Sequence, residues 1–148
     1  MRIASRNASL LLTMVIAAFS LGSCGTSQKA SPRLAAAPIS PPSEAVWHLR
    51  AGLNVAALSC RGRGRTPVAG AYARMLSRHR ALLAQAYAAE QRRYGAGLDR
   101  HQTQLYNRFS NQASPERFCR DAAAVASRAD AMDSDHLSAN ASRLLSEL

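Results

Sequence analysis

The chain has 148 residues and a formal net charge of +10, and its length is enough for one small domain once terminal segments are set aside. A charge of this sign draws anionic partners. Nucleic acid is disfavoured as one of them, because the chain carries an export signal and no recognised nucleic-acid motif.

The N-terminus has the three parts of a secretory signal. Arg2 and Arg6 give a positive start, and no acid precedes Glu44. Residues 10–21 (LLLTMVIAAFSL) form an apolar run, shorter than the roughly 20 residues that span a bilayer. Leu21-Gly22-Ser23-Cys24 then looks like a lipobox, the site at which bacterial prolipoproteins are acylated and cut. Cys24 is therefore the expected lipidation site, residues 1–23 the expected signal peptide, and the membrane the expected partner through that anchor. Gly25 is not the Asp that favours inner-membrane retention in lipoproteins of diderm bacteria, so the outer membrane, facing the periplasm, is the expected location.

Residues 24–43 are rich in Ser, Ala and Pro, without apolar periodicity. They read as a semi-extended tether. Loss of Arg2 and Arg6 with the signal leaves a charge of +8. All basic residues except Lys29 are Arg. The anionic partners open to such a domain are lipid headgroups, lipopolysaccharide and acidic glycans.

Residues 44–148 read as an all-α bundle of four to five helices. The first covers about 44–60, with Val46, Leu49, Leu53, Ala57 and Cys60 at three-and-four spacing. Gly52 within it permits a close approach or a bend. A glycine-spaced basic loop follows, Arg61-Gly62-Arg63-Gly64-Arg65. Thr66-Pro67 starts a second helix reaching Tyr94, where Gly95 ends it. Its stripe includes Val68, Tyr72, Met75, His79, Leu83 and Ala86, with Arg74 and Arg78 one turn apart on another face. A third helix covers about 97–111. Ser114-Pro115 opens a fourth carrying Phe118, Cys119, Ala122, Val125, Ala126 and Ala129. Asp133 offers a cap to a short last helix bearing Leu137, Ala141, Leu144 and Leu145.

If Cys24 carries lipid, Cys60 and Cys119 remain as an even pair in an oxidising compartment. A disulfide between them is the expected state, with a buried free pair or a reactive thiol as the alternative. Residues 50–60 (RAGLNVAALSC), Tyr106-Asn107-Arg108-Phe109-Ser110 and Phe118-Cys119-Arg120-Asp121-Ala122-Ala123 resemble small exported helical proteins of sphingomonad-like alphaproteobacteria that have no assigned function. The resemblance spans most of residues 47–125. It implies the same helical fold and paired cysteines, and it carries no catalytic residues.

Candidate chemistry is sparse. Arg61, Arg63, Arg65, Arg74 and Arg78 are anion-binding candidates, because planar guanidinium forks and glycine-spaced amides suit phosphate. The competing reading is a solvated basic face. His48, His79, His101 and His136 fall on four different predicted helices. A bundle can gather such residues into a metal or haem site, but no metal-ligand motif is present, so no metal or cofactor is expected. His79 and His101 sit on apolar stripes, where a hydrogen-bonded core histidine is the commoner case. No catalytic constellation is visible, and Glu90 and Asp99 stand alone near the middle of the mature chain. The expected function is a non-enzymatic binding or organising role in the envelope, with an unknown protein partner. A small-molecule, haem or metal carrier is the second reading, and an envelope enzyme the third.

Overall fold

Helix α1 (Pro42–Ser59) is buried almost all the way round. Its inward residues, from Ala45, Val46 and Trp47 through Leu49, Leu53 and Val55 to Ala57, cover more than one stripe. A helix of that kind belongs at the centre of its domain, not on its surface. The computed structural model describes residues 41–61 and 68–148 and places α1 there. Around it lie α2 (Val68–Arg78), α3 (Arg80–Tyr94), α4 (Leu98–Ser110), α5 (Pro115–Ala131) and α6 (Ser134–Ser146). All five pack on α1; α6 does so most extensively, and α2 pairs closely with α5. Among the described residues there is no strand. No helix among them is long and apolar enough to cross a membrane.

The fold is the expected all-α bundle. Its helices number five if α2 and α3 are taken as one rod bent at His79. The bend is the main departure from the expected second helix. Backbone hydrogen bonding runs through it, from His79 N–H to Met75 and from Leu83 N–H to His79. The imidazole, fully buried, spans the α5–α6 corner. Nε2 lies 3.1 Å from the Ala129 carbonyl and Nδ1 2.9 Å from Ser134 Oγ. A carbonyl can only accept, so Nε2 donates to Ala129, and the Ser134 hydroxyl partners Nδ1. His79 is thus a fully satisfied core histidine.

The termini of the helices follow local chemistry. Asp133 caps α6 by accepting from His136 N–H at 2.8 Å. Pro115 opens α5, although Ser114 makes no side-chain cap. Gly95 ends α3 at φ 48°, a left-handed conformation that suits glycine. The expected Thr66-Pro67 start of the second helix lies outside the described residues.

Cys60, at the end of α1, is disulfide-bonded to Cys119 near the start of α5. Gly52 is the close-approach point. A Cβ there would stand 2.8 Å from Leu148 Cδ1 and 3.0 Å from Phe109 Cε1. The Leu148 methyl can swing away, and alanine gains about 1 kcal/mol of helix propensity over glycine, so Gly52→Ala is expected to be nearly neutral. Gly52→Leu has no room between the Phe109 ring and Leu148, and should cost about 1–3 kcal/mol in urea denaturation. Equal stability of both variants would show that the contact is slack.

Candidate metal centre

Helices α3 and α4 form a hairpin. Gly95 stops α3, a single 3-10 turn (Gly95–Gly97) reverses the chain, and Leu98 begins α4. That reversal brings Glu90 and His101 face to face and presents both to α1. Glu90 continues the inward stripe Leu83, Ala86, Glu90, so a carboxylate is carried into the core by helical periodicity. On α1, His48 stands one turn after Glu44.

The four side chains converge. His48 Nε2 and His101 Nε2 lie 3.2 Å apart. His101 Nε2 is 3.0 Å from Glu90 Oε2, and His48 Nε2 is 3.9 Å from Glu90 Oε1. The Glu90 side chain is 1% exposed, Glu44 and His48 12% each, and His101 18%. The 3.0 Å approach of His101 is an ion-pair distance without hydrogen-bond geometry, so Glu90 Oε2 is left without a well-directed donor. A buried carboxylate oxygen in that condition is costly unless a cation or donor takes its lone pairs.

The surrounding groups hold the cluster in place. Tyr94 stacks on His101, with ring centroids 3.7 Å apart and planes 10° from parallel. Glu44 accepts from Arg93 Nη1 at 2.6 Å, and its other oxygen lies 3.5 Å from the Tyr94 hydroxyl. Burial lowers the His48 pKa, with Glu44 opposing and the charges of His101, Arg108 and Arg93 reinforcing. Burial likewise lowers His101. Burial, then the neighbouring Glu44 charge, raises Glu90 to about 7. Both shifts favour the neutral imidazole, the form that can ligate a metal.

The geometry suits a small divalent cation. Ligands 2.0–2.1 Å from zinc at the tetrahedral angle stand about 3.3 Å from one another. Two of the three separations here, 3.2 and 3.0 Å, are close to that value. His48, Glu90 and His101 offer ligand atoms all within 4.8 Å of one another. Two imidazoles and one carboxylate form a donor set that first-row divalent metals share.

Proton linkage of the metal-free protein gives one prediction. The Glu90 value of about 7 exceeds the ordinary 4.5. The stability this group contributes is full below the ordinary value and is lost as pH rises through about 7. With chelator present, Glu90→Gln should therefore gain on wild type as pH rises through that window. A pH-independent difference in urea denaturation would contradict this.

The sequence-level candidates fare differently. Arg61 is exposed, and its Nε donates to the Ala57 carbonyl at 3.2 Å, closing the end of α1. Arg74 pairs with Asp130 at 2.7 Å and Arg78 with the same carboxylate at 3.8 Å. Asp130 thus neutralises part of the charge that made those two arginines anion-binding candidates. Arg63, Arg65 and Cys24 lie outside the described residues. His136 is exposed and pairs with its own cap residue, Asp133, at 2.8 Å. No protein-family model, curated protein or solved structure matches this chain.

Proposed function

We propose that this chain is a lipid-anchored envelope protein that binds one divalent first-row metal ion through His48, Glu90 and His101. The observation that carries the metal reading is the convergence of the His48 and His101 Nε2 atoms on the buried Glu90 carboxylate, with His101 3.0 Å from Oε2 and His48 3.9 Å from Oε1. The anchor reading rests on Leu21-Gly22-Ser23-Cys24 and the signal before it. Basic residues on the exposed faces support residence beside anionic headgroups. The ligand set supports a binding role. A carrier or buffer needs such a site and no further reacting group.

Zinc competition against a chromophoric chelator should return one ion per chain. His48→Ala, Glu90→Gln or His101→Ala should each weaken it by about 100-fold or more. Binding that survives all three substitutions would place the metal elsewhere. Cys24→Ala should release the protein from membranes, and a wild-type mature N-terminus without lipid by mass spectrometry would reject the anchor.

A further inference from the structure

We infer that the metal in this site keeps an exchangeable fourth position, filled by a small oxygen-donor anion in a cleft on the α4 side, with Arg108 and Gln104 binding the anion's outer oxygens. This rests on the metal reading above. Three protein donors are the ligand count of open zinc sites, in which an exogenous group completes the tetrahedron. Glu90 approaches from the interior, and its side chain is 1% exposed. The two imidazoles also line a cleft of about 190 Å³, whose other walls are Gln104, Leu105 and Arg108.

The α4 sequence arranges those walls. His101, Gln104, Leu105 and Arg108 are spaced by three and four residues, so they share one helix face. The cleft is therefore lined by two of the metal ligands together with Gln104, Leu105 and Arg108. Arg108 is exposed, lies over the Phe109 ring at 5.8 Å, and makes no ion pair among the described residues. Its charge nevertheless reaches His48. A planar fork without an ion pair among the described residues, on the same cleft as two metal ligands, is matched by an anion that bridges the two. Glu44 Oε1 lies 4.0 Å from His48 Nε2, but Glu44 is held by Arg93 Nη1 at 2.6 Å and is not among the residues whose ligand atoms all lie within 4.8 Å of one another. A volume of about 190 Å³ admits an ion of acetate or phosphate size, not a large metabolite.

Cobalt(II) can replace zinc in the full-length protein and reports its coordination through visible ligand-field absorption. Cobalt titration comes first. Its failure to bind overturns the metal reading and this inference with it. With cobalt bound, acetate and inorganic phosphate are added separately. A saturable change in the absorption with either ion is the expected result, and the stronger of the two identifies the anion. Arg108→Gln should weaken that anion by about tenfold, with Arg108→Lys in between, while cobalt affinity stays within about threefold of wild type. No spectral response to either anion would overturn the inference and leave metal binding standing. An equal response in wild type and Arg108→Gln would remove Arg108 from the site and overturn it likewise.

Discussion

Replacing both Cys60 and Cys119 by Ala is expected to lower the unfolding free energy by about 4 kcal/mol. The bond closes a loop across a sequence separation of 59. In the chain-entropy account, the loss of that closure frees the unfolded ensemble more than it disturbs the fold. The native structure should persist, because both sulfurs sit in a core that remains apolar when they become methyl groups. Urea denaturation with and without reductant tests this. Reductant should move the wild-type midpoint towards that of the double variant and leave the variant unmoved. A wild-type loss below about 1 kcal/mol would mean that the unfolded chain is already constrained elsewhere.

Zinc should stabilise the domain by a similar amount. A ligand that binds only the folded state adds about 4 kcal/mol at a free concentration 1,000 times its Kd. For a domain of this size that is a rise in Tm of more than about 10 °C. The gain has a local cause. In the metal-free protein the buried Glu90 Oε2 has only the ion-pair approach of His101 at 3.0 Å, and the two imidazoles share one hydrogen-bond contact at 3.2 Å. An ion satisfies all three at once. The shift should vanish in His48→Ala/His101→Ala and reverse with chelator in wild type. A shift of equal size in that double variant would assign the stabilisation to surface binding.

The helices were legible because their ends carry local chemistry. Pro115 and Asp133 mark α5 and α6, Gly95 marks the end of α3, and the stripe from Phe118 to Ala129 is a short-range pattern. The disulfide was legible by elimination, once Cys24 was set aside for lipid. The bend at His79 was not, because the apolar stripe continues through it unchanged, and the groups that hold the imidazole there, Ala129 and Ser134, lie far along the chain. The metal cluster was hidden for the same reason. His48 and His101 are 53 residues apart, and neither belongs to a spaced motif. One signal did exist: Glu90 is a carboxylate on the inward stripe of α3, where an isolated charge is not tolerated without a partner. Arg74 and Arg78 could be placed on one face, but their neutralising Asp130 comes from α5.

The central position of α1 has a mechanical consequence. It is the one helix touched by all the others, and it is also the first described element after the segment that bears Cys24. Tension applied at Pro42 therefore enters the core helix first. It does not peel an outer helix away residue by residue. Pulling α1 out requires its interfaces with α6, α3 and α4 to slide together, a shear loading, and its far end is riveted to α5 at Cys60. Tension applied at that end is met by the interfaces of α1 and the disulfide together.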